Sequence, residues 1–249
     1  MALKPLKWYK NLATKKGRLE AGAFLVEGDR AIKQIIGSHP DEIIEIIAIE
    51  KSSSAYHNYS IRYVTDSQFR SISQTKTPQG IIALVRLPLD TFCDHLPENI
   101  GTKILLLEDV QDPGNVGTLI RTAAAFNFSG VILSNKCADP LSQKCIQSTA
   151  GAVLSVWIRK TTHYLEFIEK LKKNGYSLIA ADLKGMKDPS ILYCQDKLLL
   201  ALGNEASGLS ESILNASNHR FQIPIIRQQA ESLNVAACGA ICMYLSSCK

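Results

Sequence analysis

The sequence predicts an α/β fold organised around a buried parallel sheet, and three observations carry that prediction. Short apolar runs alternate with helix-favouring segments along the chain. Two of these runs, residues 104–107 and 198–202, contain no polar residue, as in strands covered on both faces. Each of the two leads directly into a loop carrying Gly, Asn, Asp or Glu. In open parallel sheets, ligands sit in the loops beyond the carboxyl ends of the strands.

Taken in order, residues 5–21 read as one helix. Residues 24–27 read as a short strand, and Gly28 leads into a helix reaching Ile36. The β-branched run 43–49 reads as a strand and 61–64 as another. Asp66 is placed to cap a short helix, and Thr77-Pro78-Gln79-Gly80 forms a turn before a strand over 81–87. These elements make a small α/β domain, residues 1–95. Residues 88–102 hold Pro88, Pro97 and Gly101 without a clear period and read as the linker.

The second domain, residues 96–249, opens on the strand at 104–107. Asp112-Pro113-Gly114-Asn115 then reads as a turn, and a helix begins at Val116, with Ala123, Ala124 and Ala125 its strongest formers. Residues 131–134, 153–158, 178–181, 198–202 and 221–226 read as strands, the last interrupted by Pro224. Residues 140–150, 163–174 and 232–245 read as helices, and 184–189 as a polar loop.

Composition narrows the function classes. With 46% hydrophobic and 20% charged residues, the chain of 249 residues is globular rather than disordered. No apolar run approaches the ~18 residues of a membrane span, and MALKPLKWYKNL lacks the apolar core of a signal peptide. The expected compartment is the cytoplasm, with no membrane partner. The seven cysteines include no C-x-x-C pair, and Cys238 and Cys242 have no nearby His, so reduced thiols and no metal site are expected. Net charge is only +5, but residues 1–18 hold six cations, no acid, and the aromatics Trp8 and Tyr9. That mixture suits a nucleic-acid backbone with stackable bases. The competing reading is a solvated helix face with Trp8 packed inward.

The loop after residue 107 carries Asn115, Gly117 and Arg121. No Lys follows Gly117, which rules out a P-loop, and the dinucleotide fingerprint G-x-G-x-x-G is absent here. Two further segments share the pattern of apolar strand followed by polar loop, residues 203–209 and 224–234. One rim would then gather Arg121, Asn115, Glu205, Ser232 and Asn234. Asn hydrogen-bonds in both senses, and Arg offers a planar fork that fits phosphate.

Three stretches, in order, resemble the motifs of SpoU/TrmH-type RNA 2′-O-ribose methyltransferases of the SPOUT superfamily. They are Asn115-Val116-Gly117-Thr118-Leu119-Ile120-Arg121-Thr122-Ala123, then Leu202-Gly203-Asn204-Glu205-Ala206-Ser207-Gly208-Leu209, then Ile223-Pro224 with Glu231-Ser232-Leu233-Asn234-Val235. Phe24-Leu25-Val26-Glu27-Gly28 is similar to the family's L30e-like substrate-binding domain. The resemblance implies a parallel-sheet SPOUT domain with a deep trefoil knot, an exception to ordinary chain topology, preceded by a small L30e-like α/β domain. It implies S-adenosylmethionine as cofactor, held by the backbones of Gly203, Ile223 and Leu233, and a homodimer paired at the knot. Residues 225–230 depart from the family's small, Gly-containing pattern, and Arg227 there is expected to face RNA phosphates.

The implied reaction is in-line methyl transfer to a ribose 2′-hydroxyl of structured RNA, 23S ribosomal RNA before transfer RNA. That hydroxyl distinguishes RNA from DNA, so no DNA partner is expected. Arg121 is expected to clamp phosphate and stabilise the developing alkoxide, because guanidinium is a poor general base. Asn115 and Asn234 would orient the ribose or brace the loops. Ser232 would bind phosphate or cap the last helix, and Glu205 would pin Arg121 or the loops. The rival reading is a non-catalytic RNA-binding or ribosome-assembly factor on the same fold.

Overall fold

The computed structural model describes residues 4–49, 56–75, 77–226 and 228–248. The chain forms two compact units, Met1–Leu89 with Asp139–Leu154, and Asp90–Ala138 with Ser155–Lys249.

The first unit opens with α1 (Leu6–Asn11) and α2 (Lys15–Ala21), two helices where the sequence suggests one. The break is built in. The Thr14 hydroxyl accepts from Gly17 N at 3.0 Å and starts a new helix. Gly17 packs so tightly on the preceding turn that a Cβ would lie 2.0 Å from Asn11 O. The Arg18 guanidinium then donates to the Leu12 and Ala13 carbonyls at 3.1 Å each. After β1 (Ala23–Glu27) and α3 (Asp29–Ser38) come β2 (Ile43–Ala48), β3 (Ile61–Tyr63), α4 (Asp66–Ile72) and β4 (Ile81–Arg86). Thr65, not Asp66, caps α4, in a reciprocal box with Gln68. The sheet runs β1-β4-β2-β3, with β2 and β3 parallel and the other pairs antiparallel.

The second unit alternates β5 (Lys103–Leu107), α5 (Pro113–Ala125) and β6 (Gly130–Ser134). The helix that follows, α6 (Gln143–Thr149), belongs to the first unit and packs on β1. The second unit resumes with β7 (Trp157–Thr161), α7 (Tyr164–Lys173), β8 (Ser177–Met186), α8 (Ser190–Tyr193), β9 (Leu198–Leu202), α9 (Glu211–Ala216), β10 (His219–Phe221) and α10 (Val235–Leu245). Its six strands run β10-β8-β9-β5-β6-β7, all parallel. The expected parallel sheet is therefore present. Leu105, Leu106, Leu199 and Leu200 in its two central strands are fully buried, and each such side chain contributes about 1.5–3 kcal/mol.

Several boundaries differ from the sequence reading. α5 starts at Pro113 rather than Val116, because Asp112 caps it by accepting from Asn115 N at 3.0 Å and Pro suits the first helical position. The strand expected at 153–158 begins at Trp157, where pairing with Gly130 starts. β8 continues through Met186, into the segment read as a polar loop, since Met186 pairs with Phe221 and accepts from Gln222 N at 2.8 Å. β10 lies at 219–221, ahead of Pro224, which cannot donate to a ladder. No helix among the described residues is long and apolar enough to cross a membrane. Arg227 lies outside the described residues.

Candidate active site

β5 and β9 are neighbours in register, and Leu107 pairs with Leu202 at their carboxyl ends. The loop after β9 is closed on itself by Asn204 N to Gly208 O at 3.1 Å and Gly208 N to Asn204 O at 2.9 Å. Gly203 is required at its base, since a Cβ there would lie 2.3 Å from the Gly208 carbonyl carbon. The Asn204 carboxamide accepts from Ala206 N and Ser207 N and donates to Asp109 O at 2.8 Å. This loop is thereby fastened to the end of β5.

Asp109 takes a left-handed backbone, φ 59°, which L-residues adopt sparingly. Ser134 holds it there, accepting from Asp109 N at 2.9 Å and donating to its carboxylate at 2.6 Å, while Lys136 pairs with the other oxygen at 3.4 Å. The preceding residue, Glu108, is buried and has no ion-pair partner among the described residues. It accepts from Tyr164 OH at 2.8 Å, Ser210 OH at 2.7 Å and Ser210 N at 2.7 Å. Burial, then this bond to Glu108, pushes the Tyr164 phenol pKa up. Sequence reasoning missed Glu108, Asp109, Asn204, Tyr164 and Ser210 as site supports. The available signal was two acids placed directly after a buried strand.

Three of the predicted site residues form one chain of contacts. Asn234 Nδ2 donates to Asn115 Oδ1 at 3.2 Å, and Asn115 Nδ2 donates to Glu205 Oε1 at 2.7 Å. Asn234 Oδ1 also accepts from Ala236 N and Ala237 N, at 2.9 and 3.3 Å. Asn234, rather than Ser232, therefore caps the last helix, which starts at Val235. Glu205 holds Asn115, and not Arg121. Arg121 stands exposed on α5, with no hydrogen-bond or ion-pair partner among the described residues.

A cleft of about 560 Å³ opens beside these loops. Gly203, Ile223 and Leu233 all line it, as do Glu205 and Ser232, whereas Asn115, Asn234 and Arg121 do not. Leu202, Leu209 and Val235 supply further apolar wall, and Asp182 and Cys238 polar wall. One carboxylate oxygen of Asp182 is buried and accepts no hydrogen bond; Arg220 approaches it at 3.5 Å. Cys242 bonds the Cys238 thiol and lowers its pKa, while its own is pushed up by that bond and by burial.

Fold and site together define a class: a two-unit α/β protein in which a parallel sheet collects strand-end loops around a ligand cleft. The chain belongs to the SpoU rRNA Methylase family, whose model matches residues 102–244. Residues 4–83 match an MRM3-like substrate binding domain. A 23S rRNA (guanosine(2553)-2'-O)-methyltransferase, RlmP of Bacillus subtilis, is 29% identical over 244 residues, covering 96% of this chain and 94% of the relative. The solved structure of a TrmH-family protein from Porphyromonas gingivalis matches at 28% identity with a TM-score of 0.81, covering 99% of this chain and 98% of that one. An AdoMet-bound rRNA methyltransferase from Sinorhizobium meliloti matches at 26% identity and a TM-score of 0.78, covering 97% and 93%. The family resemblance read from the three motifs is thereby confirmed.

Proposed function

We propose that this protein methylates a ribose 2′-hydroxyl in structured RNA, with S-adenosylmethionine as donor and 23S rRNA as substrate. The observation that carries the reading is the convergence of Gly203, Ile223 and Leu233 on one cleft, from three separate segments. The cleft's chemistry fits the cofactor. Leu202, Leu209, Ile223 and Val235 offer apolar wall to a purine. Glu205, Asp182 and the Ser232 hydroxyl offer acceptors to the ammonium, sulfonium and ribose groups. The relative's 23S rRNA activity favours ribosomal over transfer RNA.

Bound S-adenosylmethionine supplies an activated methyl group. The chain's own residues must align the acceptor hydroxyl and manage its developing charge. Alignment can lower a barrier by roughly 7–11 kcal/mol in favourable cases. Arg121 is the residue we assign to charge. Its guanidinium is unpaired among the described residues, so its fork is free to grip a phosphate and stabilise an alkoxide. Asn115 and Asn234 brace the loops that carry Glu205 and Ser232.

The first unit binds the substrate RNA, in keeping with its match to a substrate binding domain. The second pairs with its copy across α5 and α10, where Ile241 and Tyr244 are exposed and Phe126 meets Tyr244 edge-on at 6.1 Å. A knotted path for the segment from Gly203 to α10 and a cytoplasmic location complete the proposal. Mapping ribose methylation across total RNA with and without the gene tests it. One 23S position losing its methyl group is the expected result, and an unchanged map overturns it.

A further inference from the structure

We infer that α1 and the residues leading into it form an RNA-docking stripe, in which Lys4, Lys7 and Lys10 bind the phosphate backbone of the substrate outside the nucleotide to be methylated. The inference rests on the reading that the substrate is RNA. Lys7 and Lys10 are i, i+3 neighbours on the helix surface, and Lys4 lies just ahead of the helix, before its cap residue Pro5. All three are exposed, while Tyr9 and Leu12 anchor the opposite side in the core of the first unit.

Lys7 and Lys10 differ in charge pairing from several other cations of the unit. Four other exposed cations of the same unit have carboxylate partners: Lys16 with Glu20 at 3.7 Å, Lys33 with Asp29 at 2.7 Å, Arg70 with Asp66 at 2.6 Å and Arg86 with Glu42 at 3.3 Å. Lys7 and Lys10 have no ion-pair partner among the described residues. The carboxylate tied to this helix, Glu45, accepts from Tyr9 OH at 2.6 Å. Arg18, the sixth cation of the basic N-terminal stretch, is buried against Asp139 and takes no part.

The stripe is also held in place. Arg62 donates to Lys4 O and, at 3.2 Å, to Tyr9 OH, and its guanidinium lies 5.2 Å from the Tyr9 ring centre. Lys4 Nζ lies 5.6 Å from the centre of the half-buried Trp8 ring. Flexible point charges in a row suit a phosphate chain.

The test measures binding of a 23S rRNA fragment over a range of salt by wild type, Lys7→Ala/Lys10→Ala and Lys7→Arg/Lys10→Arg. We expect the alanine pair to lower the slope of log affinity against log salt by about two, roughly one per lost phosphate contact. S-adenosylmethionine affinity and melting temperature should stay at wild-type values, and the arginine pair should restore the slope. If wild type binds RNA and the alanine pair matches it in affinity and slope, this inference alone falls. A wild-type chain that binds S-adenosylmethionine but no RNA overturns both the inference and the functional reading beneath it.

Discussion

The Asn115 carboxamide donates to the Glu205 carboxylate at 2.7 Å, although 90 residues separate them in the chain. The contact joins the first turn of α5 to the loop after β9, and Asn234 adds the start of α10 to the same chain of bonds. A hydrogen bond to a charged group contributes about 1.5–3 kcal/mol. Asn115→Ala should therefore loosen the cleft and weaken S-adenosylmethionine binding by roughly tenfold or more. Asn115→Asp should be worse, because it sets a second carboxylate against Glu205. Calorimetry on both variants checks this; equal affinities would show that the contact does not matter to the cleft.

Arg121 should separate binding from turnover. With no partner in the fold among the described residues, its loss should leave melting temperature and cofactor affinity intact. Arg121→Ala should cost about 10²–10³ in kcat, the range for removing one donor to a developing oxyanion. Arg121→Lys should recover little, since a point charge does not replace a fork. Full recovery by lysine would rule out bidentate contact.

Glu108 should act through the loop it holds. Glu108→Ala leaves Ser210 N and Tyr164 OH without their acceptor, at about 1–3 kcal/mol for each buried group. We expect a lower melting temperature together with weaker cofactor binding. Tyr164→Phe, which breaks one bond only, should reproduce a fraction of both effects.

Cys238 lines the cleft and its thiol pKa is lowered, so S-adenosylmethionine should shield it from alkylation. Peptide mass spectrometry can read Cys238 separately from the exposed Cys194 and Cys248. Alkylation of those two should be indifferent to the cofactor, and equal labelling of Cys238 with and without it would remove this residue from the bound surface.

Tyr9 sets an alkaline limit on the first unit. Burial first, then its bond to Glu45, pushes its pKa from the ordinary 10.0 up to about 12. The folded chain thus holds the phenol proton more tightly than the unfolded one. The resulting stability is complete below the unfolded value and is lost as pH rises through about 12. Denaturant unfolding across that range should show the loss in wild type and a smaller one in Tyr9→Phe.

Much of this was legible in the residues. Unbroken apolar runs at 104–107 and 198–202 announced strands buried on both faces, and these became adjacent central strands. Polar segments directly after those strands, and the resemblance of Asn115 to Ala123 and Leu202 to Leu209 to family motifs, marked the parts of the site on α5 and in the loop after β9. The helix starts were less legible, because capping depends on which side chain turns back to the backbone. Asp112 could be read as a turn residue, and Ser232 read as a cap where Asn234 is the one that turns back. The partner of Glu205 was not legible at all, since a contact across 90 residues leaves no local periodicity. Nor was Glu108, whose burial depends on α7 and α9 arriving from elsewhere in the chain.

The first unit is discontinuous, since Asp139–Leu154 returns to it after β6 has been made. A fragment ending at Leu89 would strand a buried guanidinium at Arg18 without Asp139 and uncover the flank of β1 that α6 packs against. During synthesis, that unit cannot finish until the sixty-five residues after Leu89 have left the ribosome. The substrate-binding half of the chain is thus the first to be started but not a part that can be cut off and studied whole.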